Sequence, residues 1–117
     1  MRLATWNVNS IRTRVTRTVE FAVREDIDVL AMQEIKCKPE QFPYAPFEDA
    51  GYHVEVHGLN QWNGVAIASR LPITDVRTAF DGMPGFAKGH EGPDAPLEAR
   101  ALGVLVDGVR VLSLIHI

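Results

Sequence analysis

Asn7, in Trp6-Asn7-Val8-Asn9-Ser10, and Glu34, in Gln33-Glu34-Ile35-Lys36, each close a short, largely apolar segment. A carboxamide beside a carboxylate is a hard, all-oxygen donor pair. Such a pair suits Mg²⁺, which takes one or two protein carboxylates and keeps water or phosphate in its other positions. Each residue also has a plainer reading, Glu34 as a solvated strand-end charge and Asn7 as a turn former. His53, Glu55 and His57 share one face of a strand and could bind a metal, but they read first as an exposed polar sheet face. The chain has no zinc-ligand spacing, no Walker-type phosphate loop and no nucleophile-elbow serine.

Two elements must bring Asn7 and Glu34 together. Leu3, Thr5 and Asn7 alternate with Ala4, Trp6 and Val8, a period of two that predicts a strand with one buried side. Ile11, Val15, Val19, Ala22 and Val23 fall at helical spacing between arginines, which predicts an amphipathic helix from about Ser10 or Thr13 to Glu25. Asp28 to Gln33 is a nearly continuous apolar run and reads as an interior strand. If these two strands are parallel neighbours, Asn7 and Glu34 emerge at the carboxyl edge of a sheet, where ligands bind in open α/β folds.

The second half reads differently. Tyr52 to His57 alternates, turns through Gly58 to Asn63 and returns as Gly64 to Ser69, and Ile73 to Phe80 could form a further strand. Asp107-Gly108, between Leu102–Val106 and Val109–Leu114, is a strong hairpin signal. Hairpins after a strand–helix–strand opening predict an α/β (α+β) fold with a mixed sheet. Residues 81–96 hold four glycines and three prolines and read as an irregular loop. There is no internal repeat and no linker to a second domain.

The chain has 117 residues, 46% of them hydrophobic and 23% charged, with a net charge of −3. That composition is an ordinary globular one. No apolar run approaches the ~20 residues of a membrane span, so no membrane partner is expected. The single Cys37 reads as an unremarkable loop thiol and fits a reducing, cytoplasmic setting. Within residues 1–24, five arginines face the lone acid Glu20. A local basic surface on an acidic chain suits a grip on a phosphate backbone, although a solvated helix face is the simpler reading of charge alone.

The strings Ala4-Thr5-Trp6-Asn7-Val8-Asn9-Ser10-Ile11-Arg12 and Asp28-Val29-Leu30-Ala31-Met32-Gln33-Glu34-Ile35-Lys36 resemble the exonuclease III and abasic-site endonuclease family. Gly51-Tyr52-His53, Asn63-Gly64-Val65-Ala66-Ile67-Ala68-Ser69-Arg70 and Glu98-Ala99-Arg100 follow in that family's order, so the resemblance runs from residue 1 to about 114. It implies part of a DNase I-like four-layer sandwich, with largely antiparallel sheets and flanking helices. It also implies Mg²⁺- or Mn²⁺-dependent phosphodiester hydrolysis on duplex DNA with abasic sites or 3′ ends, by a protein that is monomeric when full length. By the same resemblance Glu34 is the direct carboxylate ligand, and Asn7 supports the metal and the scissile phosphate. Asn9 lies beside them, Arg12, Lys36 and Arg100 contact DNA, and Trp62 and Asn63 sit in a DNA-facing loop. For Arg12 a helix-surface charge and for Trp62 a hairpin cap are the structural alternatives.

The family's later Tyr, Asp, Asn and Asp-His motifs are not found in these 117 residues. The expectation is therefore the amino-terminal part, residues 1–117, of a single domain, inactive alone, with residues 115–117 as a non-native end. His116 is not taken for the family's catalytic histidine. Two other readings stay open: a superfamily phosphatase acting on phosphoinositides or lipids, and a non-catalytic DNA-binding fragment.

Overall fold

A computed structural model describes residues 1–59, 61–78, 85–87, 90–92 and 100–115. Its first sheet contains β1 (Leu3–Asn7), β2 (Val29–Gln33), β3 (His53–His57) and β4 (Val65–Ser69), in the order β1-β2-β4-β3. β1 and β2 run parallel, with Asn7 opposite Gln33, and β4 is antiparallel to both β2 and β3. The second sheet, β5 (Ile73–Arg77), β8 (Ala101–Val106) and β9 (Val109–Leu114), is antiparallel throughout. The mixed first sheet and the Asp107-Gly108 hairpin are thus both present. Residues 81–96 are not irregular throughout: β6 (Gly85–Ala87) and β7 (His90–Gly92) pair within them. The rest of that stretch lies outside the described residues, as do residues 79–80, beyond the observed end of β5, and residues 116–117.

The two central strands explain the layering. On β2, Leu30 and Met32 pack among the helical residues, whereas Val29 and Ala31 face the second sheet. On β4, Ala66 and Ala68 turn to the helices, and Val65 and Ile67 to Leu102, Val104 and Val106. Period-two alternation with apolar residues on both faces means that a sheet must be covered twice. Helices, first sheet and second sheet are three of the four expected layers among the described residues. Gln33 ties two of them together. Its amide donates to Thr5 Oγ1 at 2.9 Å and, across the inter-sheet space, to Ser113 Oγ at 2.8 Å.

The first helix, α1 (Val15–Arg24), starts later than its periodicity predicts. Residues 8 to 11 instead prolong the pairing with the β2 segment: Val8 N donates to Gln33 O, Ser10 N to Glu34 O and Ile11 N to Ile35 O. This shift changes the buried face. Thr18 and Ala22 are enclosed and Val23 is half exposed. The Thr18 hydroxyl is satisfied by the Arg14 carbonyl at 2.8 Å. A second helix, α2 (Tyr44–Asp49), was not foreseen, because Pro43 and Pro46 discourage a helical reading. Pro46 lies in its first turn, where no backbone N–H is required. Its Phe47 is fully buried.

Cys37 lies in the loop after β2, as expected, but it is buried in the core, and burial pushes its thiol pKa up, which makes it a poor nucleophile. Leu3, Leu112 and Leu114 stay about half exposed where β1 and β9 form the outer strands of their sheets. No helix among the described residues is long and apolar enough to cross a membrane.

Candidate functional site

Parallel pairing of β1 and β2 sends both strand ends to one edge. β4 runs the other way, so its beginning, Asn63-Gly64, arrives at the same place. Backbone hydrogen bonds join the three segments: Ser10 N to Glu34 O at 2.8 Å, Ile35 N to Gly64 O at 3.2 Å, and Lys36 N to Asn63 O at 2.8 Å. The chain is contorted here. Asn9, Ser10, Glu34, Lys36 and Asn63 all have left-handed φ, between 44° and 86°. Each such residue costs roughly 1–3 kcal/mol and persists only where its surroundings enforce it. Glu34 and Lys36, two residues apart in the same conformation, both reach the site.

The side chains form one connected group. Asn7 Nδ2 donates a hydrogen bond to Glu34 Oε2. Asn7 Oδ1 accepts from the Asn9 backbone N–H at 3.1 Å, which fixes the amide orientation. Asn7 thereby turns its nitrogen, not its oxygen, towards Glu34; in this geometry it orients the carboxylate and offers no oxygen beside it. Lys36 Nζ donates to Asn9 Oδ1 at 2.5 Å and lies 3.9 Å from Glu34 Oε1. Arg12 Nη2 donates to the Lys36 carbonyl at 3.2 Å.

Asn7, Asn9, Arg12, Glu34 and Lys36 are therefore brought together, and Asn63 joins them through its carbonyl. Trp62, 63% exposed, stands next to Asn63 on the loop leading into β4. Arg100 precedes β8, and its carbonyl accepts from Ile115 N. Leu102 pairs with Ser113, which touches Gln33, so the register puts Arg100 towards the same end of the sandwich. His53 lies at the opposite end of β3, whereas His57 pairs with Val65, which in turn pairs with Gln33, so His57 ends at the same sheet edge, two strands from β2. His57 is half-buried, and burial holds its imidazole pKa below the usual value.

Three further residues build the site. Arg14 Nη1 donates to the Asn9 carbonyl at 2.6 Å and holds the loop from the helix side. Ile35, fully buried, anchors the backbone between Glu34 and Lys36. Gly64 makes their close packing possible. A Cβ there would lie 2.6 Å from Ile35 Cγ1, on a backbone with φ +89°. The Asn63-Gly64 pair was the available signal, since that dipeptide favours positive φ. Gly64→Ala should lower stability by about 1–3 kcal/mol, read from urea unfolding. Gly108→Ala, also at positive φ but with nothing within 4 Å, is the control and should lose less.

Glu34 keeps about a third of its side chain exposed, which leaves an open approach to its carboxylate. Among the described residues no three His, Cys, Asp or Glu side chains converge, so they form no zinc-like cage. One reachable carboxylate, with solvent on its open side, matches the sparse protein coordination typical of Mg²⁺. The donor set fits that ion.

A profile of the Endonuclease/Exonuclease/phosphatase family matches residues 4–105. Exodeoxyribonuclease III of Haemophilus influenzae is 34% identical over 80 residues, which cover 68% of this chain and 30% of that protein. An AP endonuclease from Archaeoglobus fulgidus superposes with a TM-score of 0.83 at 34% identity, over 98% of this chain and 41% of that one. A 3′-5′ exonuclease (NExo) from Neisseria meningitidis gives a TM-score of 0.80 at 33% identity, over 96% of this chain and 40% of that one. The chain thus spans well under half the length of each of these relatives.

Proposed function

Because this chain belongs to the endonuclease/exonuclease/phosphatase family, we propose that residues 1–117 are the amino-terminal part of one DNA-repair nuclease domain. The whole domain would hydrolyse phosphodiester bonds at abasic sites and from 3′ ends of duplex DNA. In this reading it uses Mg²⁺ or Mn²⁺ and acts as a monomer in the cytoplasm. The observation that carries the reading is the meeting of Asn7 and Glu34 at the carboxyl edge of β1 and β2. Part-domain status is supported by the coverage of the relatives and by the exposed leucines beside β1 and β9.

A phosphodiester is anionic and repels its nucleophile. A divalent ion held by Glu34 would supply the positive charge that offsets the negative charge building on the phosphoryl and leaving oxygens. Asn7 orients the Glu34 carboxylate through its amide. Arg12, Lys36 and Arg100 would hold the DNA strand by its phosphates, contacts that set position without reading sequence. Asn9 ties Lys36 into the group. Trp62 and Asn63 would face the DNA from the β3–β4 loop, the exposed indole offering a surface to a base or sugar.

The test is incision of an abasic duplex by the whole-domain protein, with an inositol phosphate as the competing substrate. Metal-dependent cutting of the duplex, abolished by chelation, is the expected result. Preferential hydrolysis of the inositol phosphate would replace the nuclease reading with the phosphatase one. DNA binding that survives chelation without any cutting would favour a non-catalytic module. The 117-residue chain alone is expected to leave the duplex uncut.

A further inference from the structure

Both oxygens of Glu34 face donors of the chain itself: Oε2 the Asn7 amide and Oε1 the Lys36 ammonium. Resting on the nuclease reading above, we propose that Lys36 is the resident counter-ion of Glu34, and that entry of the divalent ion hands its ammonium over to a DNA phosphate.

The mobility needed for this exchange is confined to one group. The Lys36 backbone is fastened on both sides, its N–H to Asn63 O and its carbonyl to Arg12. Its side chain is about a third exposed and carries the rotatable stem of any lysine. Its contacts are with Asn9 Oδ1 at 2.5 Å and, more loosely, with Glu34 Oε1 at 3.9 Å. A dication on Glu34 repels an ammonium at that distance. When the ammonium leaves, Asn9 Oδ1 is released as well and can accept from water beside the carboxylate. The displaced charge stays tethered at the site edge, where a DNA phosphate would approach between Lys36 and Arg12.

Linkage follows from this arrangement. If metal binding frees Lys36 for phosphate, then phosphate binding, by holding Lys36 away, must favour the metal by the same factor. The sign distinguishes this from a purely structural role. A lysine that merely braced the loop would weaken metal binding when removed, whereas a competing counter-ion strengthens it.

The experiment uses the whole-domain protein, with Mn²⁺ as a paramagnetic probe read by broadening of the Asn7 and Glu34 amide signals. Anisotropy of a short duplex bearing a stable abasic-site analogue, with and without Mn²⁺, reports DNA binding. Lys36→Met should lower the Mn²⁺ midpoint about fivefold, the order of magnitude contributed by one unit charge about 4 Å from another in a water-like medium. It should also reduce the Mn²⁺-induced gain in DNA affinity by a similar factor. Lys36→Arg, which keeps the charge, should stay close to the parent chain in both. Glu34→Gln should abolish the broadening. An unchanged or raised Mn²⁺ midpoint in Lys36→Met, with Glu34→Gln behaving as stated, would overturn the counter-ion role and leave the metal site standing. Broadening that survives Glu34→Gln would overturn both.

Discussion

Glu34→Gln should lower metal-dependent incision by the whole-domain protein by about 10²–10³-fold, while leaving its thermal midpoint nearly unchanged. The substitution is almost isosteric. The new carbonyl oxygen can still accept from Asn7 Nδ2, so the contact that joins the ends of β1 and β2 survives. What disappears is the negative charge, and the other position now carries an amide N–H₂ facing Lys36. Two donors face each other there, so Lys36 should turn away to solvent. Losing one preorganised electrostatic element costs about 2.7–4 kcal/mol in comparable active sites, and that sets the expected factor. The side chain is partly exposed, so the fold loses little. Single-turnover incision measured across a Mg²⁺ titration is the check. A rate equal to the parent's at saturating Mg²⁺ would remove Glu34 from the metal site.

A second substitution should act in the opposite way, through the fold and not the charge. Gly58 is buried beneath the loop that carries the site. A Cβ at this position would sit 2.1 Å from the Cys37 carbonyl oxygen and 3.2 Å from its carbon. Backbone cannot rotate aside as a side-chain tip can. Gly58→Ala therefore has to push the Cys37 segment away from β3. Overpacking of this kind usually costs about 1–3 kcal/mol, and a clash with main chain belongs at the upper end or beyond. Because Cys37 follows Lys36 directly, the displacement also disturbs the Lys36 carbonyl that Arg12 holds. The expected result is a loss of about 3 kcal/mol or more in urea unfolding, together with a displaced Lys36 amide signal. A stability within about 0.5 kcal/mol of the parent would mean that the loop and β3 are not packed as described. Comparing the two variants separates chemistry from positioning, since the first keeps the scaffold and removes a charge while the second keeps every charge and moves the scaffold.

Much of this was legible in the order of residues. Alternation from Leu3 to Val8 and the nearly continuous apolar run from Asp28 to Gln33 were enough to predict the first two strands, because a side chain's face follows directly from its position along a strand. The Asp107-Gly108 pair marked the last hairpin, since few dipeptides tolerate its positive φ values, 49° and 75°. Asn7 and Glu34 could be picked out as strand-end polar residues of matching donor chemistry. The resemblance to exonuclease III supplied their proposed roles and those of their neighbours.

Other features were decided only by the tertiary structure. Helical periodicity predicted a helix starting near Ser10 or Thr13. The start moved to Val15 because the backbone of residues 8–11 found partners on the β2 extension, 24 or more residues later in the chain. The small helix Tyr44–Asp49 was hidden by its prolines. Its Phe47 is fixed by burial against the first sheet, a long-range contact that no local pattern reports. Cys37 carried no local sign of burial. It is covered because Gly58, some twenty residues on, lets β3 approach its carbonyl.

The amino-acid order by itself determined which atoms were available: one carboxylate, one carboxamide and a surrounding set of cations. It also determined that the strands carrying them could lie parallel. Which amide atom of Asn7 faces Glu34, and that the Lys36 ammonium stands 3.9 Å from the carboxylate, came from the packing of three chain segments at one sheet edge. Those choices depend on left-handed backbone at Asn9, Ser10, Glu34, Lys36 and Asn63. Such conformations are disfavoured for each residue alone, so only the hydrogen bonds between the segments can hold them.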